Sequence, residues 1–384
     1  MTHVAMIVSN PCDPDPRVEK EASALTNAGY NVTIHAFDRE GNRDEESKLD
    51  GFQIKRYRVG FTPSGAPSII TGIRVLLGLR KFRKKVLQEL STNQPKIVHC
   101  HDADTLSVGI KLKTEFGTKL VFDMHDLAHS WARMARPYSI IRKLIAAIIE
   151  RRLVGRIRHC DLVVTSSGAV SSTSHPGFRE WIRKRERDVK VVVVENRPLK
   201  ENFEPPLPEQ FTIGYAGKIR EKQMFVNLIK VVNNWPEENK PKLLIAGFGT
   251  ADSQVDKLLS SSKIDVERIG EFRREELPEI IGKMSVMYAV YPTLRGNILD
   301  GALPTKMFDA AIYGRPSIVN SNCLMGDIAT AEKIGFPINP SELDSLQSIL
   351  LQIKNEKTTV NLERDWAGES TRLNLAYTNI GNGS

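Results

Sequence analysis

Short runs rich in valine and isoleucine alternate with helical patterns along this chain, and that alternation restricts the fold more than any other feature. Strand-like runs occupy residues 3–9, 30–37, 52–59, 96–101, 119–124, 161–165 and 189–194, with helical patterns at 18–28, 69–90, 105–116 and 138–158. Strands joined in this way are parallel and covered on both faces, so the expectation is an α/β, doubly wound sheet. Pro198, Pro205, Pro206 and Pro208 then interrupt the pattern, because proline continues neither a helix nor a central strand. Beyond them the alternation restarts, with strands at 212–216, 242–246, 286–291 and 317–320 and helices at 222–233, 252–259, 304–313 and 343–353. A length of 384 residues suits two such domains. The expected layout is a Rossmann-like domain over 1–196, a linker over 197–210, a second Rossmann-like domain over 211–365 and a tail over 366–384 that returns to the first domain. Open parallel sheets bind ligands beyond the carboxyl ends of their strands, so two domains facing across a cleft would place the chemistry at strand ends.

Several function classes drop out early. Cys12, Cys100, Cys160 and Cys323 lie far apart without a Cys-x-x-Cys pair, so neither a zinc ribbon nor a redox pair is written here. No apolar run reaches the length of a membrane span, and the first residues lack the charged flank and cleavage pattern of a signal peptide. The expectation is a cytoplasmic protein with reduced thiols. Residues 1–200 hold 34 Lys and Arg against 22 Asp and Glu, whereas 201–384 hold 20 against 24, so the positive excess belongs to the first half. That half is expected to face something anionic. Two stretches concentrate the charge: Arg74, Arg80, Lys81, Arg83, Lys84 and Lys85 within 72–85, and eight basic residues within 133–158 against Glu150 alone. Phe82 and Tyr138 are their only aromatics, too few to interleave the charges, which disfavours nucleic acid and leaves an anionic membrane surface as the expected partner. A buried apolar face with a solvated basic one is the plainer alternative for either stretch alone.

The loop after the first strand carries no Gly-x-Gly-x-x-Gly, and no Walker motif occurs, so hydride transfer and P-loop chemistry lose their support. His99-Cys100-His101-Asp102 ends a strand. Alternation sends His99 and His101 to one face and Cys100 and Asp102 to the other, so the four cannot converge on one ion, and no metal site is expected. His101 and Asp102 are instead expected to line the mouth of the cleft. Asp123-Met124-His125-Asp126 ends another strand. There His125 either hydrogen-bonds a substrate hydroxyl or serves the structure by bonding a loop carbonyl.

In the second half, Gly217 permits close backbone approach while Lys218 and Lys222 bring charge to the next helix, which suits a diphosphate; a solvated charge cluster is the alternative. Ala246-Gly247-Phe248-Gly249 repeats the strand-to-glycine pattern. In Pro304-Thr305-Lys306-Met307-Phe308-Asp309, proline opens a helix on which Lys306 and Asp309 share a face. A cation for phosphate and a carboxylate for ribose fit that placement better than a plain ion pair.

Taken in order, these motifs resemble family 4 glycosyltransferases, retaining enzymes of the GT-B fold. The resemblance is carried by Asp15-Pro16-Arg17-Val18 with Glu21-Ala22, then 99–102, 123–126, 161–166, Gly217-Lys218 and 304–309. It implies a nucleotide-sugar donor held by the second domain and a glycan or lipid-linked acceptor held by the first, on the side of Asp15, Arg17, His101 and Asp126. It also implies transfer with retention, without metal or other cofactor, and the basic stretches of the first half lead to the expectation that this happens at the cytoplasmic face of a membrane. By position, His125 matches a histidine that contacts the transferred sugar, with Lys218 and Asp102 beside it in catalysis. Gly217, Lys218, Lys222, Gly249, Thr305 and Lys306 match the donor side, and Asp309 matches a ribose-binding carboxylate. The partner of that carboxylate would fall at Gly301, next to Asp300. A nucleotide-sugar epimerase and a non-catalytic binding relative are the alternatives on the same fold; the epimerase would need a constellation of acids in the first half, where Asp102, Asp123 and Asp126 are candidates.

Overall fold

The computed structural model describes residues 1–59, 69–134, 138–168, 173–201, 203–292 and 296–381. Arg136 of the second basic stretch, Asn202 of the proline-rich stretch and the last three residues of the tail lie outside these. The chain divides into two compact units. Unit 1 is Met1–Gly168, Phe178–Glu195 and Ala367–Ser384; unit 2 is Ala169–Gly177 and Asn196–Trp366.

Unit 1 is built on an eight-stranded sheet: β1 (His3–Val8), β2 (Asn31–Phe37), β3 (Glu46–Leu49), β4 (Phe52–Tyr57), β5 (Ile97–His101), β6 (Lys119–Met124), β7 (Leu162–Thr165) and β8 (Val191–Val193). The order is β3-β4-β2-β1-β5-β6-β7-β8, parallel throughout except for β3 against β4. Strand order reverses between β1 and β5, which marks the place where an open sheet offers a crevice. Val4 to Val8 are at most 1% exposed, as expected of a central strand covered on both faces. The helix Pro16–Asn27 starts where the sequence allows: Pro16 fills the first turn, and Asp15 Oδ1 accepts from Val18 N at 3.3 Å.

Unit 2 repeats the plan with β9 (Thr212–Ala216), β10 (Lys242–Ala246), β11 (Val266–Ile269), β12 (Val286–Ala289), β13 (Ser317–Asn320) and β14 (Gly335–Ile338). All pairs are parallel, in the order β11-β10-β9-β12-β13-β14. The reversal falls between β9 and β12, the order of a dinucleotide-type sheet.

The proline-rich stretch is packed into unit 2. Its carbonyls at Pro205 and Pro206 accept from the buried Arg315 Nη2 at 3.0 and 2.6 Å, because proline leaves acceptors that need partners. Arg197, fully buried, forks onto Glu332 at 2.6 and 2.7 Å and lies 3.8 Å over the Phe308 ring. Unit 2 also takes in the 173–177 segment, whose amides at Ser174 and His175 donate to Asp327 Oδ2, both at 2.7 Å. The tail helix, Trp366–Gly381, runs from unit 2 into unit 1, where Glu369 Oε2 accepts from Glu195 N at 2.8 Å.

Candidate functional site

The carboxyl ends of β5 and β6 bring together a buried charged network. His101 and Asp123 are register partners on adjacent parallel strands, so their side chains emerge side by side. Arg17, in the first turn of the helix after β1, grips Asp123 with two prongs, Nε to Oδ2 at 2.8 Å and Nη2 to Oδ1 at 2.7 Å. Its third nitrogen donates to the Val194 carbonyl at 3.0 Å, and Glu21 lies 3.0 Å away, one turn further on. Asp123 Oδ2 also faces His101 Nδ1 at 3.2 Å and His125 Nδ1 at 3.0 Å. The far nitrogen of His125 lies 3.4 Å from Asp102 Oδ1. Asp102 reaches it because the chain turns through the left-handed region there, at φ 63°, which aspartate tolerates better than most residues.

These distances set the charges. Burial alone would raise the Asp123 pKa, but the Arg17 fork and the two histidines hold it well below the carboxylate range. Burial would lower the His125 pKa; Asp102 and Asp123 outweigh it and push it up to about 10. His125 is therefore an imidazolium at neutral pH, and 29% of its side chain remains exposed. It can donate a hydrogen bond and cannot serve as a base there. His99 is the opposite case: desolvation and the neighbouring His101 drive its pKa well down, and its neutral ring shares a 2.8 Å hydrogen bond with Tyr377 of the tail helix. Two trios, Glu21 with His99 and His101, and His101 with Asp123 and His125, hold ligand atoms within 4.8 Å of one another. Arg17 already supplies positive charge to both carboxylates, so a metal ion would have to compete with a guanidinium at 2.7–3.0 Å.

In unit 2 the ends of β9 and β12 hold a lysine between tyrosines. Lys306 opens the helix Lys306–Ala311, and its ammonium lies 4.8 Å from the centre of the Tyr215 ring and 5.8 Å from that of Tyr291. Burial would lower its pKa, yet the two tyrosines raise it, so it stays charged. A Cβ on Gly217 would sit 2.8 Å from that ammonium, so glycine is what lets the lysine settle over the turn. The loops after β9 and β10 also close tightly: a Cβ on Gly247 would lie 2.0 Å from the Gly217 oxygen, and one on Gly249 2.2 Å from that of Ile219. A cavity of about 180 Å³ opens beside Tyr291, lined by Met224, Asn227, Tyr288 and Pro292 among others.

Lys306, Gly217 and Gly249 thus come together at the loop ends, with Thr305 at the start of the short helix, while Lys218 and Lys222 are exposed on the stretch after β9. Asp309 is 8% exposed and is held by Arg274 Nη2 at 3.2 Å, a partner the sequence did not suggest. On the unit 1 side, Asp102 and His125 are partly exposed and adjacent, and Asp126 Oδ1 accepts from Leu127 N at 2.8 Å. Arg17 and His101 are buried in the network, and Asp15 spends its carboxylate on Val18 N and Asn10 Nδ2. These three shape the site from beneath. Gly301, at φ 99°, has a backbone reason for being glycine: a Cβ would lie 2.6 Å from the Pro176 oxygen. Residues that sequence reasoning missed are Tyr215, Tyr291, Arg274 and Tyr377, and Glu21 was read only as part of the family motif, without a place in the site. Aromatics at strand ends were the available signal for the first two.

Residues 17–180 match the model of Glycosyltransferase Family 4. Most of unit 1 is thus similar to the family 4 glycosyltransferase domain. A search of curated protein sequences returns no match. Among solved structures, the whole chain superposes on all of a sucrose-phosphate synthase from Thermosynechococcus elongatus at 14% identity and a TM-score of 0.76. It also covers 98% of the lipopolysaccharide outer core galactosyltransferase WaaB in its apo form, all of this chain aligning at 15% identity and a TM-score of 0.62. For Anabaena HepE in complex with UDP-glucose, 99% of this chain aligns with 98% of that one, at 13% identity and a TM-score of 0.62. Likeness at this identity speaks to fold. The two parallel-sheet units together have the GT-B fold.

Proposed function

We propose that the chain is a retaining, metal-independent glycosyltransferase that moves a hexose or related sugar from a nucleoside diphosphate sugar to a growing glycan or lipid-linked acceptor. The observation that carries this reading is the ammonium of Lys306, kept charged by Tyr215 and Tyr291 over Gly217 at the point where unit 2's strand order reverses. Breaking the bond between sugar and diphosphate leaves negative charge on the phosphate oxygens. A cation already in place stabilises that charge with no reorganisation at the moment of reaction. Gly217, Gly249 and Thr305 let the diphosphate approach the backbone, Lys218 and Lys222 add charge, and Asp309, oriented by Arg274, takes a ribose hydroxyl. His125, as an imidazolium held by Asp123 at Nδ1, donates from Nε2 to a hydroxyl of the transferred sugar, with Asp102 3.4 Å from that nitrogen keeping the ring charged. Asp126 meets the acceptor directly, while Arg17, His101 and Asp15 act through the groups they hold. HepE was solved with UDP-glucose, which makes uridine diphosphate sugars the first donors to test. The basic helices of unit 1 support work at the cytoplasmic face of an anionic membrane.

Calorimetric titration with UDP, GDP and ADP in the presence of EDTA tests the donor assignment. Binding of one of them in the micromolar range is expected; loss of all binding when metal is chelated would remove the metal-independent reading. His125→Ala is expected to lower turnover about 10²-fold while nucleotide affinity stays within about twofold. An equal fall in both would place His125 elsewhere than on the sugar. Incubation with donor alone separates transfer from epimerisation, since an epimerase changes the sugar without an acceptor.

A further inference from the structure

The helix Ile140–Ile157 of unit 1 buries one face and exposes an apolar one opposite it. Ala146, Leu153 and Ile157 are at most 3% exposed and turn inward. On the other side stand Ile140, Ile141, Leu144, Ile145 and Ile148, between 46% and 74% exposed, with Tyr138 at 75% just before the helix. At about 3.6 residues per turn, positions 141, 144, 145 and 148 form a single stripe. A water-facing stripe of this size is expensive unless something covers it.

The charges around it say what that is. Lys143 flanks the stripe, and Arg151 and Arg152 continue it on the next turn, all three exposed. The only acid of residues 138–158, Glu150, is already paired with Arg185 at 2.6 Å. A second basic feature lies on the same unit. A cavity of about 620 Å³ is walled by Leu77, Leu87 and Val108 and rimmed by Arg80, Lys81, Arg83, Lys84 and Lys111, with no acid among the described residues that line it. Leu76 and Leu77, at its helix, are 67% and 53% exposed. The helix Leu106–Phe116, which contributes that wall, packs against both Ile69–Thr92 and Ile140–Ile157. Apolar residues ringed by cations match the boundary between anionic headgroups and acyl chains. A second copy of this chain matches it poorly, because a twofold contact would set Lys143, Arg151 and Arg152 against their own copies.

We infer that unit 1 docks on an anionic bilayer by inserting the 140–148 stripe below the headgroups, while the cavity rimmed by Arg80, Lys81 and Lys84 takes a lipid phosphate. This rests on the acceptor reading above only in placing the enzyme where lipid-linked acceptors occur. It goes beyond charge attraction, because insertion adds a component that salt does not screen.

The test uses the full chain with vesicles of phosphatidylcholine alone or mixed equally with phosphatidylglycerol. The native cysteines are all buried, so Ile145→Cys offers one exposed thiol for an environment-sensitive dye. A blue shift on mixed vesicles, retained in part at molar salt, is expected. The Ile141→Ser, Leu144→Ser, Ile145→Ser variant should bind mixed vesicles about tenfold or more weakly and lose all salt-resistant binding. Lys81→Glu with Lys84→Glu should weaken binding to mixed vesicles while keeping the salt-resistant part. No dye shift, wild-type binding by the serine variant, or concentration-dependent self-association that the serines abolish without any vesicle binding would each overturn the inference. Nucleotide binding and turnover on a soluble acceptor, measured on the same serine variant, should be unchanged, so failure of the docking reading and failure of the transferase reading are seen separately.

Discussion

Arg17→Met should destabilise the protein by about 3–5 kcal/mol, the range for removing one partner of a buried ion pair. Arg17 is 4% exposed and gives its nitrogens to Asp123, Glu21 and the Val194 carbonyl. Methionine fills much of the space but leaves two carboxylates buried without their cation. Arg17→Lys keeps the charge and loses the fork, so an intermediate loss is expected. The pH dependence carries a second signature. The depressed Asp123 pKa contributes stability that is present above the ordinary carboxylate range and is lost as pH falls through its lowered value. The raised His125 pKa contributes stability that is complete below 6.5 and is lost as pH rises through about 10. These two contributions are both complete only between the ordinary carboxylate range and 6.5. In Arg17→Met the acid limb should move towards neutrality, because Asp123 has lost its strongest counter-charge. Denaturant unfolding across a pH series measures both effects. A loss under about 1 kcal/mol with an unmoved acid limb would mean that the network does not depend on the guanidinium.

Much of this architecture was legible because each unit's central strands are short runs dominated by apolar residues. β1, β5, β6, β9 and β10 announce themselves that way. The strands that sequence reasoning passed over are all at sheet edges, where one side meets water and the pattern weakens. β3 reads Glu-Ser-Lys-Leu, β11 reads Val-Glu-Arg-Ile, and β14 contains Pro337, which an edge strand tolerates because a missing donor there costs little. The proline-rich stretch misled for a related reason. Proline does break regular structure, but its carbonyls remain acceptors, and the buried Arg315, more than a hundred residues along the chain, gathers them into unit 2. The short segment at 173–177 carries no pattern of its own. It is tied to unit 2 by Asp327, which receives two consecutive amides, and by the close approach of Pro176 to Gly301.

The candidate site was legible as a set of residue types and less so as a set of roles. Alternation correctly paired His99 with His101, whose rings stack with centroids 4.3 Å apart. It could not show that Asp123 would collect Arg17, His101 and His125 at once, because that depends on three elements meeting at one strand end. Nor could spacing separate a histidine that takes a proton from one that is already charged; only the two flanking carboxylates decide it. Gly301 is the converse case. Read alone it suggests a lost carboxylate, whereas the backbone oxygen of Pro176 leaves no room for any side chain at that point.

Lys306→Met should lower kcat about a hundredfold, close to 2.7 kcal/mol, if its ammonium meets the diphosphate as the sugar bond breaks. Methionine keeps the length of the side chain and a favourable contact with the Tyr215 ring, so the fold around Gly217 should stay intact. The division between kcat and KM then becomes informative. The diphosphate is negative before the bond breaks, so some affinity should be lost. The leaving group gains further charge in the transition state, so the larger share of the loss should fall on kcat. Lys218→Ala offers the comparison. Its side chain is exposed, where water screens the same charge, and its effect should be several times smaller. Equal effects in the two variants would mean that enclosure by the tyrosines adds nothing to the cation. Unchanged turnover in Lys306→Met, with normal unfolding, would move diphosphate recognition away from the ends of β9 and β12 altogether. Tyr215→Leu sharpens the choice further. It removes one of the two rings that raise the Lys306 pKa, Tyr291 being the other, and leaves the ammonium in place, so the variant's activity should fall earlier than the wild type's as pH is raised.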